Sequence, residues 1–217
     1  CWRGCGTPLT TRSWAILWVE PLDSQAHVDV IEGESLGFTA SPDAFRSLAG
    51  AANLSGSGIV SCEFGAEYGS LYQITWQWLT ELVNKCAMAG ANQFYLHGFA
   101  SQAQQTASNS WPGWMPFDAP KFCETWNNNQ PSWDYMDENL VNYVSRLQTY
   151  LQYGTGDADF AVYRYVRGIR TDGGSIGNIL YMDENQAYPG ENLATNIGYS
   201  YNYISPSNFD LPGSRAR

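Results

Sequence analysis

Apolar positions along the chain fall into two alternating rhythms. Short apolar runs over 28–31, 58–62, 92–97, 159–165 and 199–204 predict five strands. Between them, apolar residues recur every three or four positions. Phe45, Leu48, Ala49 and Ala52 follow Ser41-Pro42, an N-cap with proline at the first helical position, and predict a helix broken by Gly56 and Gly58. Leu71, Ile74, Trp78, Leu82, Cys86 and Ala89 mark a second helix, stopped by Gly90. Trp133, Met136, Leu140, Val144, Leu147 and Leu151 mark a third, capped by Ser132 and ended by Gly154. A short helix is expected over 191–197. The first 27 residues keep no steady period, and 98–131 reads as a long polar and aromatic loop.

Strands alternating with helices predict parallel βαβ units, whose right-handed crossovers bring the strand C-termini to one rim. A complete eightfold barrel takes about 250 residues. The expected fold class is therefore α/β, a partial (β/α)8 barrel of about five parallel strands with crossover helices. A doubly wound open sheet is the competing arrangement. Residues 1–27 are read as an irregular lead-in, 28–212 as the partial barrel and 213–217 as a linker or cut end. The whole reads as a piece of a longer protein, with an upstream part of the barrel missing. On its own it is expected to expose strand edges and to be inactive.

Composition narrows the function. The net charge is −10, which argues against nucleic acid as a partner, because a polyanion would be repelled. No apolar run approaches the roughly 18 residues of a membrane span. Hydrophobic residues are 44% of the chain, enough for a packed core. Nine Trp, fourteen Tyr and nine Phe exceed what packing alone needs, and several stand in loops beside Gly, Pro and Asn. The five cysteines (Cys1, Cys5, Cys62, Cys86 and Cys123) include no C-x-x-C pair, and only His27 and His97 could join them, so no metal site is expected. No glycine-rich phosphate loop indicates a nucleotide cofactor.

The candidate chemistry is acidic and aromatic. Glu63, in Ser61-Cys62-Glu63-Phe64-Gly65, stands at the expected C-terminal end of a strand, where a barrel keeps its site. Glycoside hydrolysis needs two such carboxylates across the sugar. Glu32 and Glu34 follow the preceding strand, and neighbouring strand ends would put Glu34 on the same rim. His97 ends the third strand and could bind a sugar hydroxyl or orient a carboxylate. Trp111-Pro112-Gly113-Trp114 offers flat rings held in a loop, suited to the C–H faces of sugars. Arg164, at the end of the fourth strand, could contact substrate or pair an acid such as Asp159. Each has a structural alternative: a helix-capping Glu63, a surface Glu34, a His97 bonded to backbone, a loop mini-core of tryptophans. Gly33-Glu34-Ser35-Leu36-Gly37 also matches the nucleophile-elbow pattern of serine esterases, with Ser35 as nucleophile, although no helix starts directly after it.

Ile59-Val60-Ser61-Cys62-Glu63-Phe64-Gly65, then 90–99 with His97-Gly98-Phe99, then Trp111-Pro112-Gly113-Trp114, Trp133, Tyr143-Val144-Ser145-Arg146-Leu147-Gln148 and Asp159-Phe160-Ala161-Val162-Tyr163 occur in an order that resembles the catalytic barrel of glycoside hydrolase family 106, the α-L-rhamnosidases. The resemblance covers roughly 27–212. It implies a secreted enzyme that hydrolyses terminal α-L-rhamnose with inversion, using two glutamates, with calcium assisting. Glu63 would be the base that activates water, and the other catalytic glutamate would lie upstream. Glu34 resembles a second rim glutamate, and His97 a strand-end histidine before the aromatic loop. Cys62-Glu63-Phe64-Gly65 departs from the family's expected Glu-Ala-Phe. The alternatives are a non-catalytic carbohydrate-binding protein and the Ser35 esterase.

Overall fold

The computed structural model describes residues 10–12, 21–35, 42–66, 73–97, 133–163 and 198–214. Four strands, β1 (Thr10–Arg12), β2 (Val30–Glu34), β3 (Val60–Phe64) and β4 (Gln93–Leu96), form one sheet in that order, parallel throughout. Parallel neighbours need a crossover. Here α1 (Pro21–Gln25) lies between β1 and β2, α2 (Pro42–Ser55) between β2 and β3, and α3 (Trp76–Met88) between β3 and β4.

The helix ends follow from local chemistry. The Thr75 side chain accepts a hydrogen bond from the Trp78 amide and so starts α3. At its other end the Gly90 amide bonds the Ala87 carbonyl and the Ala91 amide bonds the Cys86 carbonyl. That is a Schellman motif, and its left-handed residue is Gly90, with φ +107°. The expected stop at Gly90 is thus met.

The apolar face of the sheet is covered by helices. Ile31, Val60, Cys62, Phe64 and Phe94 pack with Phe45, Leu48, Leu79, Leu82, Val83 and Cys86 in one buried core. The Phe64 and Phe94 rings meet edge to face at 6.1 Å. The helical stretch 133–151 adds Met136, Leu140 and Val144. This stretch was expected to be one helix. It is α4 (Trp133–Met136), a π turn over Asp137–Val141, and α5 (Asn142–Leu151), and it ends at Gln152 rather than at Gly154. The outer edge of β4 meets α5: the Phe94 amide donates to Gln148 Oε1 at 2.7 Å, and Gln152 Nε2 donates to the Asn92 carbonyl at 2.7 Å. Side chains here take over part of the work of a neighbouring strand.

Several expectations need correction. The segment 1–27 supplies β1 and α1 instead of being irregular throughout. Two strands begin two residues later than expected and end two or three residues later, so Glu32, Glu34 and Glu63 lie inside strands and not after them. The fourth and fifth expected strands, β5 (Phe160–Tyr163) and β6 (Tyr201–Ile204), do not extend the four-stranded sheet. They form a separate parallel pair in which β6 packs against α2. Gly50 of α2 permits this approach, because a Cβ there would run into the Tyr203 carbonyl oxygen. Arg46 lies over the Tyr201 ring, 4.6 Å from its centre, and Leu22, Tyr201 and Tyr203 form a second small core. Buried Asn208 ties this unit to α1, donating to the Leu22 carbonyl while its own oxygen accepts from the Ser205 amide. The described strands therefore make two parallel sheets, a mixed α/β arrangement. The short helix expected over 191–197 lies outside the described residues. Among the described residues no helix is long and apolar enough to cross a membrane.

Candidate functional site

Register decides which side chains share a face. In parallel strands, paired residues stand side by side and alternate residues take opposite faces. β2 and β3 pair Glu32 with Ser61, Gly33 with Cys62 and Glu34 with Glu63. β3 and β4 pair Ser61 with Gln93, Cys62 with Phe94 and Glu63 with Tyr95. One face therefore carries two rows, Glu32–Ser61–Gln93 and Glu34–Glu63–Tyr95. The other carries Ile31, Cys62, Phe64 and Phe94, the helix-covered core. The centre of the polar face is buried, with Glu63 3% exposed, Glu32 6% and Ser61 2%, while Gln93 at the β4 edge is exposed.

Burying a carboxylate is costly unless hydrogen bonds and charges answer it. Glu63 is answered from the next strand and its end. The Tyr95 hydroxyl donates to Oε2 at 3.1 Å, and His97 Nε2 lies 3.9 Å from Oε1. The backbone fixes the same corner. The Ser35 amide donates to the Glu63 carbonyl at 2.8 Å, and the His97 amide donates to the Phe64 carbonyl at 2.8 Å. Both bonds continue the parallel ladder one residue past the strand ends and hold Ser35 and His97 at the C-terminal rim.

The structure thus brings Glu63, Glu34 and His97 to one face, with Glu32 one row back, and adds Tyr95 and Ser61. The signal for the added residues is parity. Glu32 and Glu34, Ser61 and Glu63, and Gln93, Tyr95 and His97 are polar at every second position in three successive strands. Placing the first two strands two residues early hides this phase. Trp111, Trp114 and Arg164 lie outside the described residues. His27 is elsewhere, exposed on the turn after α1, with Nε2 3.6 Å from Asp23 Oδ1.

Two other nucleophile candidates fail. Ser35 is 1% exposed and its hydroxyl makes no hydrogen bond. A serine nucleophile needs a base within hydrogen-bond reach; His97, the expected partner, faces the Glu63 carboxylate instead, so the esterase reading falls. Cys62 lies buried beside Cys86 on the helix side of the sheet. Burial, first, and then Cys86, Glu63 and Glu32 push its thiol well above the usual cysteine range, which keeps it protonated and inert. No group of three His, Cys, Asp or Glu side chains that could hold a metal ion occurs among the described residues.

These features define a parallel α/β protein with a buried acidic row near the strand C-termini. No protein-family model matches the chain, and no curated protein matches it in sequence. Among solved structures it is similar to the rhamnosidase from Novosphingobium sp. PP1Y, with a TM-score of 0.60 and 16% sequence identity. The match covers 88% of this chain and 17% of that one, so the chain spans about a sixth of that enzyme's length. At this identity the likeness is one of fold alone.

Proposed function

We propose that this chain belongs to a rhamnosidase-like glycoside hydrolase, as part of a (β/α) barrel whose inner surface is the polar face of β2–β3–β4. One observation carries this reading: the row Glu34–Glu63–Tyr95, with Glu63 buried between two half-buried neighbours, stands on one face of parallel strands whose opposite face is sealed by helices. A barrel has this arrangement, with side chains inward, helices outward and chemistry at the strand C-termini. The substrate class is a terminal α-L-rhamnoside of a plant or microbial polysaccharide, met outside the cell. This substrate follows from the family resemblance and fits the rhamnosidase fold likeness.

In this reading Glu63 takes a proton from water as the water oxygen bonds to the anomeric carbon. The bond from that carbon to the leaving oxygen breaks, and the leaving oxygen receives a proton from a second carboxylic acid. Neighbouring parallel strands are about 4.8 Å apart, and side chains leaving one face side by side keep roughly that separation. An inverting pair needs about 6.5–9.5 Å, to leave room for water. Glu34 is therefore the neighbour that binds sugar and raises the negative field beside Glu63, and the acid of an inverting pair comes from a more distant strand. His97 stands where it can orient Glu63, and Trp111 and Trp114 supply flat surfaces for the sugar.

The test is release of rhamnose from an aryl α-L-rhamnoside by the protein in its full natural length. Glu63→Gln is expected to lower kcat by roughly a thousandfold or more. Normal turnover by that variant would sink the assignment. Oligosaccharide binding with no hydrolysis by either form would instead favour a carbohydrate-binding protein.

A further inference from the structure

We infer that Tyr95 is the positioning residue of the Glu63 carboxylate, an inference that rests on the glycosidase reading for its catalytic consequence. A glutamate's terminal torsion is broad and roughly two-fold, so packing of the stem does not fix the plane of the carboxylate. A hydrogen bond to one oxygen does. Tyr95 supplies it, donating to Oε2 at 3.1 Å from the adjoining strand position in register with Glu63.

The donor is itself held on several sides. Phe94, the preceding residue, is locked into the core against Phe64, and its amide is bonded by Gln148 of α5. Two residues later the His97 amide bonds the Phe64 carbonyl and brings the imidazole to 3.9 Å from Oε1. One strand end thus addresses the two carboxylate oxygens with two different groups, two residues apart, on one face. Glu34 stands on the other side of Glu63, paired with it in register. A base held in line with its water keeps its rate, and misplacement by about 1 Å costs roughly a hundredfold.

Tyr95→Phe keeps the ring and removes only the hydroxyl. The first measurement needs no activity. With tyrosine labelled at the ring carbon that bears oxygen, the Tyr95 resonance is identified by its loss in Tyr95→Phe. Glu63→Gln is expected to move that resonance while leaving most of the other tyrosine signals in place. An unmoved Tyr95 resonance in folded Glu63→Gln overturns the inference. The second measurement is kinetic. Tyr95→Phe is expected to lower kcat roughly tenfold to a hundredfold with KM within about twofold of the parent. Parent-like kcat in a folded Tyr95→Phe protein also overturns it. If the unaltered protein hydrolyses no glycoside, the proposed function fails, and the resonance alone decides whether Tyr95 orients Glu63.

Discussion

Replacing Gly50 by alanine tests the packing of β6 on α2. In an unpacked helix interior the change would stabilise the protein, since glycine there costs roughly 1 kcal/mol relative to alanine. At Gly50 the added methyl would overlap the Tyr203 carbonyl oxygen. That atom is backbone, so it cannot turn aside as the end of a long side chain would. Tyr203 is fully buried, and its ring meets Tyr201 edge to face at 5.6 Å beside Leu22. The strand can retreat only by opening that core. Overpacking costs roughly 1–3 kcal/mol, and a backbone obstacle belongs at the upper end. After the helix gain is set against it, the expected net loss is about 2 kcal/mol, a fall in Tm of roughly 4–8 °C for a chain of this size. Gly154→Ala is the control, because nothing lies within 4 Å of a Cβ built there. It is expected to match the parent or gain a few tenths of a kcal/mol. Thermal unfolding of both variants, followed by circular dichroism, checks the reasoning. A Gly50→Ala protein that melts at or above the parent temperature would refute the close approach.

Other consequences are open to direct measurement. Gln148→Ala leaves the Phe94 amide without its acceptor and should cost about 1–2 kcal/mol in urea unfolding, with no change in the slope. The Cys62 thiol, held protonated by burial, should resist iodoacetamide at neutral pH in the native protein and react once it is unfolded, as read by peptide mass. Asp159 accepts bonds from both the amide and the hydroxyl of Ser200, which lowers its carboxyl below the usual range. A folded value below the unfolded one gives a contribution present above about pH 4 and lost as pH falls further through the folded value. Ser200→Ala keeps the amide bond, the larger cause, and removes the hydroxyl bond, so it should flatten the acid limb of the stability profile in part, and an unchanged limb would count against the hydroxyl's share.

Much of the local structure was legible in the chain. The spacing of Leu71, Ile74, Trp78, Leu82, Cys86 and Ala89, with Gly90 after it, marked α3 and its end, although the helix begins only at Trp76, after its Thr75 cap, and buries Leu79 and Val83 while Trp78 is exposed. Apolar Phe94 and Leu96 marked β4 in the same way, because propensity and capping act over a few residues. Glu63 was recognisable as a strand-end acid, although its strand begins two residues later than its apolar run suggests. The reason is that β3 is buried on both faces, one apolar and one acidic, so hydrophobicity alone misplaces its ends.

Pairing was not legible. The runs at 160–163 and 201–204 look like further strands of the main sheet, but among the described residues they pair with each other, and β6 packs on α2, a contact opened by the missing side chain of Gly50. The partnership of Glu63 with Tyr95, 32 residues away, likewise depends on register, and a slip of one residue would send the tyrosine to the opposite face. Short-range periodicity fixes what each segment becomes. Which segments meet, and therefore what surrounds the acid, is set by burial and steric fit between residues far apart in the chain, and only the folded molecule decides that.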